Sequence, residues 1–227
     1  MIWNNMVLPP PYYQDDAVYI IHGDCREVLP LIPDKSIDLV LTDPPYNARN
    51  IGPNQRVYEG TVMHLPDNEY KTFCSDWFEL SLNKVETMVF TPGIANTHNY
   101  PQPKWQLCWH KPASVSFNRM GGFNAWEPIF IYGDTKKARF GQDYLLYNTL
   151  NFNKGDEKNH PCPKPLSLWQ YLLGNFGGIV LDPFLGSGTT VVAGKKLNRH
   201  CIGIEIEEKY CEIAAKRCSQ SVMKLDV

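Results

Sequence analysis

Residues 178–190 read GIVLDPFLGSGTT, and this stretch decides the fold. A short apolar run ends on Asp182, a proline and Phe184 follow, and Gly186 and Gly188 bracket Ser187 ahead of Thr189 and Thr190. The run has the length of a buried strand. Glycine permits the tight backbone of a turn, and the hydroxyls stand at the start of a helix expected from about Ser187 to Leu197. Strand, glycine turn and helix together form the unit of an α/β layer fold. The stretch lacks the lysine of a triphosphate-binding loop and the full G-x-G-x-x-G of a dinucleotide site. An acid facing such a turn suits a ligand with a positive group better than a pyrophosphate.

The following strand, CIGIEI (201–206), ends with Glu205, where nucleotide-binding α/β folds hold an acid for ribose hydroxyls. A glycine turn with acids at two neighbouring strand ends suits S-adenosylmethionine, which carries an ammonium, a sulfonium and a ribose with two free hydroxyls. Upstream, AVYIIHGD (17–24) reads as a strand, Cys25 to about Leu31 as a short helix and Ile37–Thr42 as a strand. Residues 68–85 suit a helix, and TMVFTPG, WQLCWHK and EPIFIYG suit three further strands. A helix is expected from near Pro165 to about Phe176, and a last one from Glu207. Apolar runs alternating with helices predict a mainly parallel sheet, with strands 105–110 and 127–132 as its antiparallel edge.

The strand 37–42 continues into DPPYN, Asp43 to Asn47. Proline ends strand pairing, but a strand tip in an open α/β sheet is also where ligands bind. Turn chemistry accounts for Asp-Pro alone; with Tyr46 and Asn47 beside it and the partner motifs elsewhere in the chain, the stretch reads as a reaction site.

At 227 residues, 43% of them hydrophobic, the chain suits one domain with a sizeable core. No apolar run approaches the roughly 20 residues of a membrane span, and the N-terminus has no signal-peptide pattern. The seven cysteines include no CxxC pair and read as reduced core thiols of a cytoplasmic protein. Net charge is −2, yet residues 101–170 carry nine Lys/Arg against five Asp/Glu. That local excess fits a phosphate-tracking patch and a solvated face equally well.

These stretches together resemble the amino-group DNA methyltransferases of the β permutation class. Asp43-Pro44-Pro45-Tyr46 matches that family's catalytic motif and DPFLGSGTT its cofactor motif; HPCPKP (160–165) and HGDC (22–25) are similar to the elements preceding the cofactor motif and the catalytic strand. Catalytic motif before cofactor motif is the order that defines the class. The resemblance implies a single Rossmann-like methyltransferase domain over residues 1–227, with a seven-stranded, circularly permuted sheet entered at its third strand. It implies S-adenosylmethionine as cofactor, with Asp24 on its adenine amino group, Glu205 on its ribose, and Asp182 and Gly188 in the motif turn. Lys164, Pro165, Phe184, Gly186, Ser187, Thr189 and Thr190 would line the pocket. Trp109 and the WEPI strand fit the structural part of the pattern.

The resemblance also implies a chemistry. An exocyclic amino group is a poor nucleophile because its lone pair is delocalised into the base. The Asp43 carboxylate and the Pro44 carbonyl, its backbone fixed by Pro45, would hold both amino hydrogens and localise that pair. Tyr46 would stack on the base once it is flipped from the duplex, and positioning would supply most of the rate gain. Aspartate at the first motif position favours adenine over cytosine. Neither the reaction nor the site calls for a metal, and His160 in its proline context reads as structural.

Two segments depart from the family pattern. The target-recognition insertion, about 133–159, is short, with Lys136, Lys137 and Arg139 as its basic groups. A mobile loop, about 48–67, follows Asn47 and carries Arg49 and Arg56 toward the flipped base. So compact a DNA reader points to a short target sequence, relaxed specificity or a second subunit, as a homodimer or with a different partner. Cytosine-amino DNA methylation, RNA methylation and a non-catalytic cofactor-binding subunit remain open alternatives.

Overall fold

The computed structural model describes residues 2–47, 62–112, 122–135, 138, 140–147 and 164–220. The chain opens on a hairpin, β1 (Ile2–Trp3) and β2 (Met6–Val7). Asn4 and Asn5 turn it at positive φ, the conformation a two-residue hairpin loop demands. The Trp3 ring then packs on Tyr19, 5.4 Å between centroids, so the start of the chain is a small packed ribbon.

β3 (Tyr13–Gln14) and β4 (Val18–His22) follow, then α1 (Cys25–Val28) with a 3-10 turn over Leu29–Leu31. β5 (Ile37–Thr42) leads to β6 (Tyr46–Asn47), which pairs with β7 (Val62–Met63) across the undescribed residues. α2 (Asp67–Lys84) buries Tyr70, Phe73, Cys74, Trp77, Phe78 and Ser81, one face at helical spacing. Asp67 and Glu69 in its first turn and Lys84 in its last complement the helix dipole. β8 (Val85–Phe90), a 3-10 turn (Ile94–Asn99), β9 (Trp105–His110), β10 (Trp126–Gly133) and β11 (Tyr144–Leu146) complete the middle of the chain. α3 (Leu166–Gly174), β12 (Val180–Asp182), α4 (Thr189–Lys196), β13 (Cys201–Glu205) and α5 (Glu208–Gln220) close it.

The main sheet has nine strands in the order β11-β9-β10-β8-β5-β12-β13-β4-β3. Its seven central strands are the ones the sequence predicts, and the short β11 and β3 extend it at either edge. β10 is antiparallel to both β8 and β9, so the antiparallel strand expected at 127–132 lies inside the sheet, while at the opposite rim β3 pairs antiparallel with β4. The other central pairs are parallel. One apolar cluster, rich in α2 aromatics, covers one face of the sheet, and a second, built with α3, α4 and α5, covers the other. Both faces of the parallel strands are thereby buried, as such strands require.

β11 falls inside the stretch read from sequence as a recognition insertion. Its three residues add to β9 in parallel, with Leu145 buried between exposed Tyr144 and Leu146. The six described cysteines are all free, five of them buried. Burial pushes the thiols of Cys25, Cys201, Cys211 and Cys218 up to about 12, which keeps them protonated and unreactive. Among the described residues, no helix is long and apolar enough to cross a membrane, and no group of three His, Cys, Asp or Glu side chains is placed to hold a metal.

Candidate active site

Parallel strands end on one side of a sheet, so sheet order dictates which tips are neighbours. β8, β5, β12, β13 and β4 are consecutive, and their C-terminal ends carry Thr91, Asp43, Asp182, Glu205 and Asp24 in that order. β10 runs the other way and so brings its first residues, Trp126 and Glu127, to the same side, beside Trp109 and His110 of β9 and Lys111 just beyond it.

Asp43 stands one residue beyond β5, three-quarters buried, with every described contact directed to its carboxylate. The Tyr46 hydroxyl donates to Oδ1 over 2.7 Å, and the Thr91 hydroxyl donates to the same oxygen. Lys164 Nζ ion-pairs with Oδ2, lies 3.3 Å from the Tyr46 hydroxyl, and sits over the Tyr46 ring 5.4 Å from its centroid. Burial, the Asp43 charge and Glu127 raise the Tyr46 phenol well above its ordinary value, so it stays a neutral donor. Gly93 lets the backbone pass close to that ring. Its φ is 73°, and a Cβ there would stand 3.1 Å from the ring edge. The Tyr70 hydroxyl donates to the Pro45 carbonyl over 3.0 Å. No described residue donates to the carbonyl of Pro44.

The glycine turn leans on Asp182, which is 3% exposed. Its Oδ1 accepts from Thr42 Oγ1 over 2.6 Å and from Phe184 N over 3.0 Å, and its Oδ2 from Thr190 Oγ1 over 2.5 Å. Trp169 Nε1 in turn donates to Thr190 Oγ1. Burial, with a smaller push from Asp43, raises the Asp182 carboxyl to about 6 against these hydrogen bonds. The sequence reading set this acid to face a cationic ligand; its described contacts instead go to the turn, to the head of α4 and to β5.

Glu205 accepts from Gly186 N over 2.7 Å and from Glu207 N over 2.8 Å, one on each carboxylate oxygen. Each oxygen keeps a second lone pair, and burial raises its pKa. Gly186 and Gly188 have φ of 53° and 87°. Ser187 is buried, with its carbonyl and hydroxyl 2.6 and 3.2 Å from Arg217 Nη1. Asp24 caps α1 through Arg26 N at 2.8 Å and pairs with the Arg26 guanidinium at 2.6 Å, an arrangement that holds its carboxyl below the usual range. Phe184 packs edge-on to Trp77, 5.3 Å between centroids, and Pro165 opens α3.

Most of the expected residues thus converge along one row of strand tips, with two differences besides that of Asp182. Lys164, assigned to the cofactor pocket, is committed to Asp43. Asn47, assigned to nucleic acid, is fully buried; its amide donates to the Leu65 carbonyl and accepts from the Leu65 N–H, so it anchors the segment after β7 instead. Arg49, Arg56, Lys136, Lys137, Arg139 and His160 lie outside the described residues. Sequence reasoning missed Thr42, Thr91, Lys111 and Glu127. The lysine and glutamate form a largely buried pair at 2.5 Å, and nothing but sheet order brings Glu127 within electrostatic reach of Tyr46 and Lys164.

A family model described as DNA methylase, N6_N4_Mtase, matches residues 37–216. The chain is 29% identical to the Type II methyltransferase M.HinfI of Haemophilus influenzae, over 87% of this chain and 67% of that protein. It is 26% identical to the Type II methyltransferase M2.DpnII of Streptococcus pneumoniae, over 95% and 94%. Among solved structures, the PvuII DNA methyltransferase (cytosine-N4-specific) superposes with a TM-score of 0.71 at 18% identity, covering 96% of this chain and 90% of that one. The M1.HpyAVI–SAM complex does so with 0.61 at 24%, covering 88% and 98%; these likenesses concern the fold. The chain belongs to the DNA methylase family of N6 and N4 amino-group methyltransferases.

Proposed function

We propose that, within this family, the chain methylates the N6 amino group of adenine in DNA, with Asp43, Pro44, Pro45 and Tyr46 as the catalytic group. The observation that carries the reading is the tip of β5. A carboxylate held from three sides stands next to a backbone carbonyl to which no described residue donates, one strand from a glycine turn. Asp43 accepts one amino hydrogen and the Pro44 carbonyl the other, which turns the nitrogen lone pair out of conjugation and toward the methyl donor. Tyr46 stacks on the extruded base, as chemistry on a paired base requires. Aspartate rather than serine at the first position supports adenine.

S-adenosylmethionine fits the neighbouring tips and supplies the methyl group; the solved complex of one structural neighbour with SAM supports this choice. Glu205 has lone pairs left for ribose hydroxyls, and Gly186 and Gly188 take the positive φ that the turn needs. Asp24 and Phe184 flank the adenine side. Lys136, Lys137, Arg139, Arg49 and Arg56 are proposed DNA contacts, and the Type II names of the relatives support a place in restriction-modification.

The test is transfer of labelled methyl from S-adenosylmethionine to duplex DNA, single-stranded DNA and RNA, with nucleoside mass analysis. N6-methyladenine in DNA is expected. N4-methylcytosine overturns the base assignment, and label in RNA alone overturns the substrate. Asp43→Ala abolishes transfer while leaving cofactor affinity within about twofold; normal turnover in that variant removes Asp43 from the mechanism.

A further inference from the structure

Glu127 carries a carboxylate oxygen that the proposed chemistry does not use. The side chain is buried with Lys111, the two 15% and 7% exposed, and its Oε1 accepts from Lys111 Nζ at 2.5 Å. Its Oε2 is buried without a hydrogen-bond partner. Leaving a buried charged acceptor unsatisfied is costly, so the arrangement calls for a reason. The site contains a matching problem. Lys164 occupies Asp43 Oδ2 and also covers the Tyr46 ring. A base that stacks on Tyr46 and donates to Asp43 competes with Lys164 at both places. Moving a buried ammonium off its carboxylate strands a charge, unless a second anion receives it.

We infer that Glu127 is a positioning residue whose unpartnered Oε2 receives the Lys164 ammonium when the amino group of the target base takes its place on Asp43. Lys111 keeps the receiving carboxylate oriented by holding Oε1, so only Oε2 is offered. Electrostatics agree: burial acts to raise the Glu127 carboxyl, but Lys111 and then Lys164 pull it below its ordinary value, which keeps it an anion. The transfer exchanges one ion pair for another and leaves Asp43 able to accept an amino hydrogen without a cation competing for Oδ2. No covalent step is involved.

This inference rests on Asp43 being the acceptor for the base amino group, and a double-mutant cycle separates the two. Glu127→Gln removes the charge and keeps the shape. Its kcat for DNA methylation is expected to fall roughly tenfold or more, with the Kd for S-adenosylmethionine and the melting temperature near wild type. In a Lys164→Met background the same substitution is expected to change kcat less than about twofold, because no ammonium remains to be received. An equal loss in both backgrounds overturns the inference, and so does a kcat unchanged by Glu127→Gln alone. If Glu127→Gln fails to fold, Lys111→Met/Glu127→Gln, which removes both buried charges, takes its place with the same comparison. A wild-type enzyme that methylates no amino group, or an Asp43→Ala variant with normal turnover, brings down the underlying reading instead.

Discussion

Replacing Asp182 with asparagine isolates a stability term that the structure makes large. The carboxyl is 3% exposed and holds its proton up to about pH 6, whereas its ordinary value is 3.8. Between those values the native state binds more protons than the unfolded chain, so stability falls as pH rises through the window and levels off above it. A shift of about two units at about 1.4 kcal/mol each amounts to about 3 kcal/mol. The contribution is fully present below about pH 4 and gone above about pH 6. The substituted asparagine keeps an Oδ1 acceptor for Thr42 and Phe184 and does not titrate. Urea unfolding, followed by tryptophan fluorescence at steps from about pH 4 to pH 7, gives the stability of both proteins. Wild type minus Asp182→Asn is expected to decrease by about 3 kcal/mol across the range, since groups shared by the two cancel. A flat difference refutes the argument that burial outweighs the Thr190, Thr42 and Phe184 hydrogen bonds.

The turn and the neighbouring acid give two further expectations. Gly188→Ala forces a φ of 87° on a residue with a Cβ and sets that atom 2.7 Å from Ala214 Cβ on α5; thermal unfolding should show a loss of about 1–3 kcal/mol, and wild-type stability would detach the turn from helix packing. Glu205→Ala removes the acceptor of the Gly186 N–H and the proposed ribose partner. Hydrogen bonds to a charged group are worth about 1.5–3 kcal/mol, so calorimetry should find cofactor affinity reduced roughly ten- to a hundredfold, and an unchanged Kd moves the ribose site elsewhere.

Much of this arrangement was legible in the chain because its signals are local. The apolar runs at 18–22, 37–42, 85–90 and 201–205 are each bounded by glycine, proline or an acid, and each forms a strand close to its expected limits. The residues that escaped notice are those whose meaning depends on pairing. Thr91 is an ordinary strand-end threonine until β8 lies beside β5, with Thr42 opposite Phe90, which brings its hydroxyl to Asp43. Glu127 begins an antiparallel strand, so its arrival at the C-terminal side of the parallel strands depends on strand direction as well as order. Likewise β1, β2, β3 and β11 are two or three residues long, too short to show a period, and only the strands they join define them. Asn47 shows the converse error. A polar residue beside a catalytic motif invites a ligand contact, whereas here its amide closes on the backbone of Leu65.

Pairing also explains why two distant motifs make one site. Thr42 ends β5 immediately before Asp43, and its hydroxyl is bonded to Asp182 at the end of β12. Asp182 holds Thr190 at the head of α4, and Thr190 accepts from Trp169 of α3. A continuous chain of buried hydrogen bonds therefore runs from the helix after Pro165, through the glycine turn, to the residue next to the proposed methyl acceptor's partner. In-line transfer tolerates little error in the spacing of donor and acceptor, and loops set that spacing poorly because they move. Here the two tips are neighbours in the sheet, and the bond between them spans 2.6 Å with both ends buried. Both partners are buried and fill space as well as bond, so apolar residues of equal volume would keep the packing while removing the hydrogen bond between the tips. The distance between the proposed sites is thus set by the pairing of β5 with β12 and by the hydrogen bond at their ends.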